Sequence, residues 1–193
     1  IKLFNKNSPQ IYIFKFINFF FTIIIILYTS FIVECDGITH FQFSKCFSFS
    51  NQECVISHRP FLYPLYISIS GCFLFDSLIP IITFNIILST LMINYIFITF
   101  KNIGKNISLI ITILFILCGF HVLYIFSLAE MHLVLFFLIS AICSIINFHS
   151  TSKKSFFYIA LISLFLCFYT RLDTIIILIF GLNYFSEQLI YSN

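Results

Sequence analysis

The chain has 193 residues and a net charge of +3, and 61% of its residues are hydrophobic while only 9% are charged. A soluble domain carries about 25% charged residues, and a globule of this size could not hide so much apolar surface from water. Composition, with a mean hydropathy of +1.09, therefore excludes an ordinary soluble domain and predicts an all-α fold, a polytopic bundle of about six transmembrane helices.

Six apolar runs approach or reach the roughly 20 residues that cross a bilayer. They are 16–33, 77–100, 106–126, 131–148, 155–170 and 174–190. Lysines precede the first run and acids follow it, which predicts a cytoplasmic N-terminus. An uncleaved signal anchor and a cleaved signal peptide both fit these flanks, and the lack of a small-residue cleavage site favours the anchor.

The only long polar stretch, 34–76, is predicted to be the first outer loop. Residues 36–47 place apolar side chains among polar ones, which suits a short helix lying in the membrane interface. The run 61–75 is apolar but short and contains Pro64 and Gly71. It is either a further span or a helix lying along the membrane surface.

Charge placement favours the surface helix. In that topology the lysines after 77–100 (Lys101, Lys105) and those after 131–148 (Lys153, Lys154) all face the cytoplasm, as the positive-inside rule requires. A spanning 61–75 would put both clusters outside. The surface topology brings a set of charged residues to the outer face: Glu34, Asp36, His58, Arg59, Glu130 and Arg171.

Three of the seven cysteines, Cys35, Cys46 and Cys54, lie in the polar part of this loop, before the apolar run 61–75 that contains Cys72. One disulfide could form there if the loop faces an oxidising compartment. No Cys or His spacing typical of a structural zinc site is present in the sequence.

Two acids are candidates for chemistry. Asp36 follows the first span and could act as a general base on an incoming hydroxyl or amine, or it could be a solvated acid at a helix end. Glu130 lies in a tight turn between apolar runs, where an ionisable residue normally faces a cavity or a partner. Its alternative is a helix-end acid that reaches interfacial water.

Basic residues near the same face could bind phosphate. Arg171 offers a planar fork of donors suited to that group, although it could instead form a local ion pair with Asp173. His58 and Arg59 precede the surface helix and could equally be an interfacial basic patch attracted to anionic headgroups.

The order of these features resembles the N-terminal half of the integral-membrane GT-C glycosyltransferases, which include protein O-mannosyltransferases and lipid A aminoarabinose transferases. The resemblance covers roughly residues 16–190. It rests on Asp36-Gly37-Ile38-Thr39-His40, Arg59-Pro60-Phe61-Leu62-Tyr63-Pro64-Leu65, Asn85, Ser127-Leu128-Ala129-Glu130 and Tyr169-Thr170-Arg171-Leu172-Asp173.

The resemblance implies a transferase that moves a sugar from a polyprenyl- or dolichyl-phosphate donor to a lipid, glycan or protein acceptor. It implies Asp36 and Glu130 as catalytic acids, and His58, Arg59, Tyr63 and Arg171 as substrate-binding residues. Many relatives have a second acid directly after the first-loop Asp, where this chain has Gly37 and places Glu34 before it instead. The use of a divalent cation is therefore left open, and no other cofactor is expected.

The expected location is a bacterial inner (plasma) membrane or the endoplasmic reticulum, as a multi-pass protein among membrane lipids and without a nucleic-acid partner. The chain begins with Ile1 and stops just after an apolar run, so we expect it to be the N-terminal part, 1–193, of a longer catalytic module. The alternative function is a non-catalytic polytopic membrane subunit or a transporter segment.

Overall fold

The computed structural model describes residues 35–47, 60–71, 78–118, 125, 130–177, 179–181 and 183. Within these ranges the chain is helical and contains no strand, as its composition predicts. The predicted first span, 16–33, and most of the predicted last span, 174–190, lie outside the described residues. The elements are α1 (Cys35–Ser44), α2 (Leu62–Ile69), α3 (Ile79–Lys101), α4 (Lys105–Cys118), α5 (Met131–Thr151) and α6 (Lys154–Thr170), with 3-10 turns at Lys45–Phe47 and Leu172–Thr174.

Two helices, α3 and α5, are long and apolar enough to cross a membrane. They have 23 and 21 residues, which at about 1.5 Å per residue matches a hydrocarbon core of about 30 Å. The helices α4 and α6 are apolar too, but they have 14 and 17 residues. The described residues therefore contain two candidate spans, fewer than the six that the sequence predicts for the whole chain.

Local features of the chain explain where α3 begins and where α5 ends. Pro80 lies in the first turn of α3, where its missing N–H costs no helical hydrogen bond. At the end of α5, Ser152 adopts the left-handed conformation with φ 52°, and its N–H donates to the Phe148 carbonyl at 2.7 Å. This left-handed residue stops α5 and turns the chain into α6.

The helices α3 and α5 run in the same direction. The Tyr95 hydroxyl lies 2.7 Å from the Ser144 hydroxyl, and the Asn147 amide donates to Thr99 Oγ1 at 2.8 Å. Because the contacts advance along both helices together, the two candidate spans are parallel. Hydrogen bonds of this kind join helices in a membrane, where buried polar groups need partners.

The other two helices fold back on these spans. The α5–α6 pair is antiparallel, since Ser163 contacts Ser140 at 3.2 Å while Cys167 Sγ, further along α6, lies 3.9 Å from the earlier Val134 carbonyl. A short turn at 102–104 returns α4 against α3 in the same way. The lysines of both turns therefore lie at one end of the bundle, and Glu130 and Arg171 lie at the other. The predicted grouping is confirmed for Glu130, Arg171 and the lysines of the two turns; Glu34, His58, Arg59 and the Asp36 side chain lie outside the described set, and which end faces the cytoplasm stays a prediction.

The short helices α1 and α2 pack on each other and on the ends of the bundle. Buried side chains from α2, α3 and α5 form one apolar cluster there: Tyr63, Ile67, Ile81 and Leu133. With eight residues, α2 is about 12 Å long and cannot cross a bilayer core. The helix ends at Ile69, and the turn that follows contains Gly71, whose φ of 86° is a conformation that glycine adopts without strain. The described part of the run, residues 61–71, therefore favours the surface helix over a span.

Candidate functional site

A carboxylate is buried at the end of the bundle opposite the lysines. Glu130 immediately precedes α5, and its side chain is only 11% exposed. It makes no side-chain hydrogen bond to cap the helix that it precedes. The alternative of a helix-end acid that reaches interfacial water therefore does not describe this residue, because the side chain is turned into the protein.

His40 is the partner of this carboxylate. Its Nε2 atom lies 2.8 Å from Glu130 Oε2, and its side chain is 1% exposed. The edge-on ring of Tyr63 lies against it, with ring centroids 5.1 Å apart at 88°. Among the described residues, none forms a hydrogen bond with the other ring nitrogen, Nδ1, which is also buried. The contact joins α1 to the start of α5.

Arg171 completes the cluster from the end of α6. Its Nη1 atom lies 3.9 Å from Glu130 Oε1 and 2.7 Å from the Met131 sulfur. The backbone at Arg171 is extended, with φ −151°, and this ends α6 and turns the side chain back toward α5. Its side chain is 38% exposed, so the guanidinium can reach both Glu130 and the surroundings.

The electrostatics of the cluster keep Glu130 ionised. Burial raises the pKa of its carboxyl, but the hydrogen bond and charge of His40, with a smaller effect of Arg171, lower it more. The net pKa lies below its ordinary value of 4.5. At neutral pH Glu130 is therefore a fixed anion that faces the imidazole of His40 and the guanidinium of Arg171, and it is a poor proton donor.

The structure brings together three of the six residues assigned to the site from the sequence. Glu130 and Arg171 are in direct contact, and Tyr63 joins them through His40. Asp36 lies in the first turn of α1, four residues before His40, and its side chain lies outside the described set. His58 and Arg59 lie outside the described residues. The side chain of Asp173, the alternative partner of Arg171, also lies outside the described set.

Sequence reasoning missed His40. It is the last residue of the Asp36–His40 motif on which the resemblance rests, but no role was assigned to it there. Its spacing of four residues from Asp36 puts the two about one helical turn apart. That spacing is the only sequence signal that could have selected it.

Asn85, part of the resemblance, ties the surface helix to the bundle. Its Oδ1 accepts from the Tyr66 hydroxyl of α2 at 2.7 Å, and its amide nitrogen donates to the Ile125 carbonyl at 3.0 Å. Its own carbonyl lies 3.0 Å from His132 Nε2 on α5. One buried residue of α3 therefore connects this helix to α2, to Ile125 and to α5.

The predicted disulfide in the polar loop is present at Cys46, in the 3-10 turn that follows α1. The partner cysteine lies outside the described side chains. Cys118, Cys143 and Cys167 have free thiols.

No group of three or more His, Cys, Asp or Glu residues that could hold a metal ion occurs in the part of the chain that the structure describes. Comparisons with protein-family models, with curated proteins and with solved structures found no match.

Proposed function

We propose that this chain is a membrane glycosyltransferase of the GT-C type. It would move a sugar from a polyprenyl- or dolichyl-phosphate donor to a lipid, glycan or protein acceptor at the non-cytosolic face of the membrane. The observation that carries the proposal is the ionised, buried Glu130 at one end of a candidate span. It lies between the buried His40 and the part-exposed Arg171.

Arg171 is the residue we assign to the donor phosphate. Its guanidinium is part-exposed at the end of an apolar bundle, where the phosphate of a membrane-anchored lipid would lie. A guanidinium binds phosphate oxygens through two parallel hydrogen bonds. Negative charge accumulates on the departing phosphate as the sugar leaves, and a fixed cation stabilises that charge most effectively in a dry site.

Asp36 is the residue we assign as the general base that accepts the proton of the acceptor nucleophile. Support comes from its backbone position, since it begins the helix that carries His40. The contact between His40 and Glu130 fixes α1 against α5, next to Arg171. We therefore assign Glu130 and His40 as positioning residues, which hold the base-bearing helix and the phosphate-binding arginine at a set distance.

The second candidate function is a non-catalytic subunit or a transporter segment. A transporter is expected to carry ionisable groups near the middle of its spans. Within α3, α5 and α6 the Asp, Glu, Lys and Arg residues occur only at helix ends. Charges at helix ends and the His40–Glu130 contact suit a scaffold equally well, so the support for the enzyme is the resemblance together with the part-exposed Arg171 beside the buried acid.

The orientation we propose puts the His40 end outside and the N-terminus in the cytoplasm, in a bacterial plasma membrane or the endoplasmic reticulum. The disulfide at Cys46 supports it, and so does the grouping of lysines at the opposite end. Single cysteines introduced by Asp36→Cys and Lys154→Cys into an otherwise cysteine-free chain test it with a membrane-impermeant thiol reagent. Labelling of both from the same side would overturn the proposed orientation.

Transfer itself is tested with the complete protein in proteoliposomes that contain a radiolabelled polyprenyl-phosphate sugar. Asp36→Asn should lower the rate about 10²–10⁴-fold, the usual contribution of a general base. Arg171→Gln should lower it too, whereas Lys101→Gln, the same loss of charge at the opposite end, should not. Wild-type transfer by Asp36→Asn, or equal losses in the two charge variants, would refute the assignment.

A further inference from the structure

A cavity of about 580 Å³ lies between α3 and α5 and extends to the turn that joins α5 to α6. Its lining begins at Leu91 on α3 and at Phe136 on α5. It therefore occupies the lysine end of the bundle, away from the cluster around Glu130. Its volume lies within the range of about 300–1,000 Å³ that small-molecule sites occupy.

The lining changes from apolar to polar along the helices. Leu91, Phe136 and Ile139 line the inner part, and Asn102 and Lys153 line the part at the turns. From position 91 to position 102 the chain rises about 16 Å at the helical 1.5 Å per residue. This is about half of a 30 Å hydrocarbon core, so the cavity follows a single leaflet of the bilayer.

Two of the polar side chains in the middle of the cavity are bonded within the protein. Tyr95 is bonded to Ser144, and the Asn147 amide donates to Thr99. Among the described lining residues the charged one is Lys153, which is exposed at the outer end of the cavity. Among the lining residues that the structure describes, none carries a carboxylate to neutralise it.

We propose that this cavity binds an anionic glycerophospholipid from the leaflet at the lysine end. One acyl chain lies along Leu91, Phe136 and Ile139, and the phosphate lies at Lys153 and Asn102. A basic pocket between transmembrane helices is suited to such headgroups. The match is one of chemistry and length, an apolar channel about one leaflet long with a cation at its mouth. The site is separate from the one proposed for sugar transfer and does not depend on it.

The chain has no Trp, so a single introduced Trp reports on the cavity. Phe156→Trp puts the reporter in the lining, and Phe165→Trp puts a control on the same helix at an exposed site outside it. Each variant is reconstituted in phosphatidylcholine vesicles that contain rising fractions of chain-brominated phosphatidylglycerol or chain-brominated phosphatidylcholine. Quenching of the cavity reporter should saturate at a lower fraction of the anionic lipid, and the control reporter should not distinguish the two lipids.

Charge and shape variants in the Phe156→Trp background test the two halves of the proposal. Lys153→Gln should weaken the preference for the anionic lipid about fivefold, the effect of one lysine facing an anionic lipid. Lys154→Gln is the matched control, because this neighbour has the same charge but does not line the cavity. Ile139→Phe should narrow the inner part and lower the preference, while Ile142→Phe, on an exposed face of the same helix, should leave it unchanged.

Equal quenching by the two brominated lipids in the cavity reporter would overturn the proposal. Equal effects of Lys153→Gln and Lys154→Gln would also overturn it, since they would reduce the preference to general attraction at the membrane surface. Loss of the preference on adding millimolar glycerol phosphate would indicate a soluble phosphate ligand and would equally reject a lipid.

Discussion

Replacing Glu130 by Gln should weaken the attachment of α1 to the bundle. The substitution keeps the size of the side chain and removes its charge, while His40 stays 1% exposed beside it. A hydrogen bond to a charged group contributes about 1.5–3 kcal/mol. Arg171 adds less than about 1 kcal/mol, because its side chain is 38% exposed and water screens the 3.9 Å pair.

Since the Gln amide can still accept a hydrogen bond, we expect Glu130→Gln to lower the free energy of unfolding by about 1–2 kcal/mol. For a chain of this size that is a fall in Tm of roughly 2–8 °C, measurable by thiol-dye or circular-dichroism melting in detergent. His40→Asn should cost a similar amount. His149→Asn, the same change at an exposed position on α5, should stay within about 0.5 kcal/mol of wild type.

The double variant decides whether the two residues act through each other. The losses of His40→Asn and Glu130→Gln should not add, and a coupling of about 1 kcal/mol is expected, beyond the roughly 0.3–0.5 kcal/mol within which independent sites add. Simple additivity would refute the reasoning.

The same pair predicts a pH dependence. The pKa of Glu130 is lowered in the folded protein, so its stabilisation is fully present above its ordinary value of 4.5 and is lost as the pH falls through the lower folded pKa. The Tm difference between wild type and Glu130→Gln should therefore shrink as the pH is taken well below 4.5. A difference that is constant with pH would contradict the assigned ionisation.

Three further predictions concern the fold. Ser152→Gly should raise the free energy of unfolding by roughly 0.5–1 kcal/mol, because Ser152 has a φ of 52°, and a lower Tm would contradict this. Asn147→Leu should lower the free energy of unfolding by about 0.6–1.7 kcal/mol. Adding Thr99→Val should lower it little further, since both substitutions remove the same 2.8 Å hydrogen bond. Additive losses would show that this bond contributes nothing. Cys46→Ser should free the thiol of its disulfide partner, so the number of thiols alkylated after non-reducing denaturation should rise by one. It should also lower the free energy of unfolding by about 2–4 kcal/mol. An unchanged thiol count would exclude the disulfide.

Part of the candidate site could be predicted from the sequence, because the positive-inside rule relates the placement of lysines to the topology of a membrane chain. Lysine placement predicted that Glu130 and Arg171 meet at one end of the bundle, and they lie 3.9 Å apart. The short α2, followed by a turn at Gly71, likewise agrees with a surface helix. The pairing of His40 with Glu130 could not be predicted, because the two residues are 90 positions apart and neither local sequence indicates the other as its partner.

Hydrophobicity and charge are properties of each residue in turn, so the sequence alone determined that the chain is helical and apolar and which turns share an end. The pairing of His40 with Glu130, the three bonds of Asn85 and the cavity beside Lys153 depend on how parallel and antiparallel helices pack. Such contacts join residues 19 to 90 positions apart, and only the folded bundle brings them within bonding distance.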